Sequence, residues 1–199
     1  NDTMEERGEF YVHNFPTHSA RADRIRELLE EGSKFTVDEF CKMQLDLTDL
    51  RAKEVLPDLL AVLKTSDDDK VRQSVAILEG WDCRASADSI GACVFYPFLD
   101  RYWQRKFLFA ALEDELVKLL PLAAPGLNRF DIKTFIGSGS SWKKYEPLLN
   151  EIICREMSEV MDRLCESLGA DASAWRWGDL HQIAFWHRLR KRPEFENMS

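Results

Sequence analysis

The chain has 199 residues, 45% of them hydrophobic, which is ample for a sizeable core in one large domain or two small ones. Its net charge of −8 argues against nucleic acid as a partner, because phosphate binding needs a basic face. No run of about 18 apolar residues occurs, so no membrane-spanning helix is expected. No signal peptide precedes the first patterned segment, and the chain opens at Asn1 without an initiator Met, as a processed or excised piece of something longer would.

Residues 1–18 are polar and aromatic without helical period, an extended lead-in with a strand expected over residues 9–13. From Ser19 the pattern turns helical. Ile25, Leu28 and Leu29 make an apolar stripe flanked by Arg21, Arg24 and Arg26, and Gly32 stops it. Thr36-Val37-Asp38-Glu39 is a capping box, with Phe35 placed to staple onto Phe40. Met43-Gln44-Leu45-Asp46 closes this short helix. Leu50, Val55, Leu56, Leu59, Leu60 and Leu63 carry the next one, in which Pro57 either kinks the helix or opens a new one.

The acidic run Ser66 to Asp69 suits a helix start, and Val71, Val75 and Leu78 carry that helix to Gly80. A loop from Trp81-Asp82 ends near Asp88-Ser89. Ile90 to Leu112 is apolar on most sides and predicts a central helix, broken or bent at Pro97. Pro121, Pro125 and the glycine-serine run 137–141 suggest loops between short helices, and that run lacks the ending of a phosphate-binding loop. Leu149, Ile153, Met157, Val160, Leu164 and Leu168 form the clearest amphipathic helix, capped by Gly169. The expected fold is mainly α, a multi-helix domain over 19–174 with one or two short strands near the ends. A Trp-rich turn or short strand and a basic tail follow over 175–199.

Residues 175–187 hold three of the six tryptophans and two of the four histidines. Trp177-Gly178 reads as a turn, and the alternation after it favours an extended segment. A metal site, a Trp-lined ligand pocket and a structural latch all compete for this stretch. The spacing of His181 and His187 suits a compact zinc pair poorly, so the latch is favoured.

Elsewhere the residues disclose little chemistry. The five cysteines include no CxxC pair and are odd in number, which fits neither a zinc knuckle nor a complete disulfide framework. Cys154 and Cys165 read as small buried hydrophobes. Asp67, Asp68 and Asp69 point in different directions on a helix, a solvated start more than a cation site. His13 and His18 flank a Pro as isolated loop histidines. Arg21, Arg24 and Arg26 offer a cationic edge, or else pair on the surface with Asp23, Glu27 and Glu30.

Taken in order, several patterns resemble one family. They are Arg21-Ala22-Asp23-Arg24-Ile25 with Leu28-Leu29, Phe35-Thr36 through Met43-Gln44-Leu45-Asp46 to Leu56-Pro57, and Leu78 with Trp81-Asp82. Ser89 through Phe95, Leu164 through Gly169, and Trp175-Arg176-Trp177-Gly178-Asp179-Leu180-His181 with Phe185 and His187 complete the set. Together they resemble the helical part of the β-chain of the penicillin acylase family of N-terminal nucleophile hydrolases.

The resemblance implies a portion of an αββα fold and hydrolysis of an amide joining an acyl group to an amine, with a link to antibiotic metabolism. The family's nucleophile is the first residue of the β-chain, with its own α-amino group as base. That chemistry needs a hydroxyl or thiol, so a chain opening at Asn1 is expected to receive its nucleophile from elsewhere and to be inactive alone. By the same resemblance Arg21 takes the position of an arginine that orients the oxyanion machinery. Asn1 is a candidate for the asparagine whose side-chain N–H donates to the oxyanion, although the family often shows two Asn in succession and Asp2 stands in the second place.

The implied partners are the rest of the acylase (its α-chain and the N-terminal part of the β-chain) and a small acyl-amide substrate. No cofactor is implied within this chain, and a structural calcium belongs to the complete enzyme. The resemblance implies a periplasmic or secreted enzyme, which five cysteines fit poorly, so localisation stays open. In the resemblance the Trp-rich stretch becomes an anchor where the last long helix returns toward a central sheet, with His181 buried and hydrogen-bonded. The alternative is a non-catalytic helical interaction module whose apolar faces serve a partner chain.

Overall fold

A computed structural model of the chain describes residues 20–32, 34–99 and 146–183. The lead-in over 1–18, Asn1, His13, His18, the apolar segment past 99, the loops of 113–145, His187 and the basic tail lie outside the described residues.

The described elements are helices, in the order α1 (Ala20–Glu30), α2 (Val37–Gln44), α3 (Leu50–Leu63), α4 (Asp69–Glu79), α5 (Ile90–Pro97) and α6 (Glu146–Leu168). A 3-10 turn (Ala172–Ala174) and α7 (Trp177–Leu180) follow. No strand occurs among the described residues, where Thr48 and Arg84 form an isolated antiparallel bridge. The mainly α expectation stands. None of the described helices is long and apolar enough to cross a membrane.

Helices α2 to α5 each begin where a side chain takes free amides of the first turn. Thr36 accepts from the Glu39 N–H while the Glu39 carboxylate accepts the Thr36 N–H at 2.7 Å, closing the capping box. Phe35 and Phe40 meet edge to face at 5.7 Å, the expected staple. Asp49, Asp68 and Ser89 cap α3, α4 and α5 in the same way. Gly169 ends α6 at φ +94°, a conformation open to glycine at little cost.

Pro57 neither breaks nor restarts α3, which runs unbroken from Leu50 to Leu63. The ring lies on the exposed side, while Val55, Leu56 and Leu59 around it are buried. One missing amide is thereby outweighed by a continuous apolar face. That face (Ala52, Val55, Leu56, Leu59 and Leu63) joins Val71 and Leu78 of α4, Cys93, Val94 and Phe95 of α5, and Ile152, Ile153, Met157, Val160, Met161 and Leu164 of α6 in one core. α4 packs mainly on α6, α3 and α5. Its start is also tied to α6 by polar bonds, Ser158 Oγ donating to Asp68 at 2.8 Å and Lys70 Nζ to Asp162 at 2.7 Å. Glu156 is fully buried on α6, with the Arg155 guanidinium 3.6 Å from its carboxylate.

Two readings of the Trp-rich stretch need correction. The turn expected at Trp177-Gly178 is a turn of α-helix that reaches Leu180, where the extended alternation was to begin; residues 181–183 form no strand, and the rest of that alternation lies outside the described residues. His181 is exposed, not buried; its imidazole lies flat on the Trp177 indole, with ring centroids 4.9 Å apart and planes 7° from parallel. Trp177 reaches Tyr96 of α5 at 4.9 Å, and this long-range contact sets the local chain direction. The anchor is Trp175, fully buried, with its indole N–H donating to the Gly169 carbonyl at 2.8 Å. Cys154 and Cys165 are half-buried, set against the core and not inside it.

Candidate functional site

A cleft of about 1090 Å³ lies between α1, α2, the segment 46–49 and the first turns of α3. Its lining includes the apolar side chains of Ile25, Leu28, Leu29, Phe40 and Leu47. It also includes the charged groups Arg21, Arg24, Asp46, Asp49, Arg51 and Glu54. Amphipathic helices that leave part of their apolar stripe uncovered produce this arrangement, and Ile25, Leu29, Phe40 and Leu47 are all between 42% and 49% exposed.

Arg21 and Arg24 stand one turn apart on α1 and so share a face. Their surroundings differ. Arg24 donates from Nε to Asp46 Oδ2 at 2.8 Å and from Nη2 to Oδ1 at 3.4 Å, and also to Glu27 at 3.0 Å. Those bonds hold the guanidinium more firmly protonated than usual. The Arg24 guanidinium, with the Thr48 hydroxyl, keeps the Asp46 carboxyl below the usual carboxylate range against the opposing effect of burial. Arg84 approaches the same carboxylate at 3.5 Å, and Thr48 Oγ1 donates to it at 3.1 Å. Arg21, by contrast, is exposed on the cleft wall, and no hydrogen bond or ion pair engages its guanidinium among the described residues.

A second cap residue extends the framework. Asp49 accepts the Arg51 and Ala52 amides at 2.8 and 3.2 Å, starting α3, and accepts the Tyr96 hydroxyl of α5 at 2.9 Å. The segment 46–49 thereby joins α1, α3, α5 and the loop around Arg84. Sequence reasoning missed this hub: it read Asp46 as a helix ending and Arg24 as a surface cation paired along its own helix. The 22 residues between Arg24 and Asp46 carry no local signal of the pairing. The surface pairing was right in part, since Arg26 does meet Asp23 at 2.5 Å. Asn1 lies outside the described residues, so its distance from Arg21 is not part of the described geometry.

The chemistry available to the described side chains is polar recognition. Burial pushes the thiols of Cys83, Cys93 and Cys154 up, Cys93 to about 11, which disfavours the thiolate a nucleophile needs. The calcium implied by the resemblance takes about six to eight oxygen ligands. Among the described residues no group of three His, Cys, Asp or Glu side chains is placed to hold a metal ion. Asp68 is turned to Ser158 and Asp69 to Arg72, so the acidic run does not converge.

The cleft is lined both by apolar side chains and by the guanidinium groups of Arg21, Arg24 and Arg51. The family model for penicillin amidase matches residues 1–198, nearly the whole length. The chain belongs to the penicillin amidase family of hydrolases.

Proposed function

We propose that this chain is the helical portion of an acylase that hydrolyses the amide bond between an acyl group and an amine. The family match over residues 1–198 carries this reading. In it, an amino-terminal hydroxyl or thiol from another segment of the enzyme adds to the amide carbon. The amine leaves with the proton taken from the nucleophile, and water releases the acyl group from the resulting ester or thioester. Charge develops on the carbonyl oxygen in both steps, and donors aimed at it lower both barriers. Arg21 orients that machinery with its planar fork of N–H groups, and Asn1 is the candidate side-chain donor to the oxyanion. The remaining chains of the acylase and a small acyl-amide substrate complete the assembly.

The test is Arg21→Ala in the full-length enzyme, assayed on a panel of acyl amides. The expected result is a rate loss of about a hundredfold with the melting temperature nearly unchanged. Loss of stability in proportion to activity would make Arg21 a structural residue. A full-length wild-type enzyme without turnover on any acyl amide would overturn the reading and favour the non-catalytic module. The half-exposed apolar lining of the cleft is the observation on which that module rests.

A further inference from the structure

We propose that Asp46 is the positioning residue of the cleft, clamping α1 to the body of the domain and so fixing where Arg21 presents its guanidinium. The clamp stands on geometry alone; its catalytic consequence rests on the acylase reading.

α1 buries no side chain completely. Ile25 and Leu29 are 49% and 42% exposed, so apolar burial gives this helix a weak hold compared with the fully buried faces of α3 and α6. The Arg26–Asp23 pair lies within the helix itself. The forked Arg24–Asp46 pair does span to the body, with side chains only 21% and 12% exposed. Partial burial spares it much of the screening that weakens surface pairs.

The receiving carboxylate is itself held on a fixed strap. Thr48 Oγ1 donates to Asp46 Oδ1 at 3.1 Å, and Arg84 contacts the same oxygen at 3.5 Å. Behind it, the Asp49 N–H donates to the Cys83 carbonyl at 2.9 Å and the Ala85 N–H to the Leu47 carbonyl at 3.0 Å. Cys83 adopts φ 59°, a strained conformation for a non-glycine residue that persists where its surroundings impose it. Asp46 therefore transmits the position of this strap to α1. Arg21 lies one turn before Arg24 on the same face, so any rotation or slide of α1 displaces both guanidiniums together.

The experiment uses the full-length enzyme and the variants Asp46→Asn and Asp46→Glu. Asparagine keeps the shape of the carboxylate and removes its charge. Amide hydrogen exchange across Ala20–Glu30 should quicken about tenfold in Asp46→Asn, the scale of one charge-assisted hydrogen bond, with α4 and α6 unchanged. In the same variant kcat should fall about tenfold with KM nearly constant, and Asp46→Glu should recover part of both losses. Unchanged exchange in α1 overturns the clamp. Faster exchange with unaltered kcat overturns the positioning role, and so does an equal rise of exchange across α4 and α6. Absence of turnover in the wild type would instead sink the acylase reading, and the exchange measurement would then decide the clamp alone.

Discussion

Gly91 occupies the first turn of α5 directly beneath the Trp81 ring. A Cβ at this position would lie 2.2 Å from Trp81 Cγ, 2.5 Å from its Cβ and 2.6 Å from Cδ1. All three lie well inside ordinary carbon contact, which begins at about 3.5 Å. The ring has little room to retreat. Its indole N–H donates to the Arg84 carbonyl at 3.0 Å, and it packs on Phe95 and Tyr96 at centroid distances of 5.1 and 6.2 Å. Replacing Gly91 by Ala therefore forces overpacking worth about 1–3 kcal/mol, with about 1 kcal/mol more if the Arg84 bond breaks. Alanine's better helix propensity returns at most about 1 kcal/mol. Sterics win, and Gly91→Ala should destabilise by about 2–3 kcal/mol, read as a lower urea midpoint at constant m-value. The cost should depend on the ring. In a Trp81→Leu background the same substitution should lose at least about 1 kcal/mol of its effect, a coupling that a double-mutant cycle measures directly. A Gly91→Ala protein as stable as wild type would show that this contact is not what requires glycine.

Trp175 and His181 should behave oppositely. Trp175→Ala empties a fully buried site and strands the Gly169 carbonyl, costing about 3–5 kcal/mol in equilibrium unfolding. His181→Ala removes only an exposed ring stacked on Trp177 and should cost under about 1 kcal/mol; a larger loss for His181 would return it to the structural role its sequence context suggested. Asp68 makes a prediction in pH. Its carboxyl is held below the usual carboxylate range, chiefly by the Ser158 hydroxyl and further by the Lys70 and Val71 amides. A lowered folded pKa means the contribution is fully present above the unfolded value and disappears as pH falls through the folded one. Asp68→Ala should thus cost about 1 kcal/mol at neutral pH and little near pH 2. An equal cost at both pH values would refute the capping account. Titration of Asp68 by NMR in Ser158→Ala should move upward.

The helices were legible wherever the signal was local. Thr36 with Glu39, Asp68 and Gly169 mark their ends through bonds to amides or carbonyls within a few residues, so spacing alone reveals them. The long face of α6 was legible for the same reason, since period and burial coincide from Ile152 to Leu164. What failed depended on distant partners. The residues after Trp177 alternate over too short a span to separate strand from helix. The helical turn Trp177–Leu180 is held by distant contacts, Tyr96 meeting Trp177 and the Gly178 amide donating to the Ala87 carbonyl at 2.8 Å. Nothing beside His181 in the chain reveals that its ring would lie outside, on an indole.

The same distinction sorts the arginines of α1. By spacing all three can pair along the helix, and Arg26 does so with Asp23. Arg24 pairs along the helix with Glu27 and also reaches a carboxylate 22 positions away, which occupies two further donors. For a substrate oxygen to use Arg24 it would have to compete with a partly buried carboxylate whose own charge is stabilised by that contact, and the displaced Asp46 would face desolvation unpaired. Arg21 imposes no such competition, being exposed on the cleft wall with no hydrogen bond or ion pair among the described residues. The geometry of one acidic side chain thus separates the two guanidiniums of this helix face: Asp46 engages Arg24, while Arg21 stays exposed on the lining of the cleft.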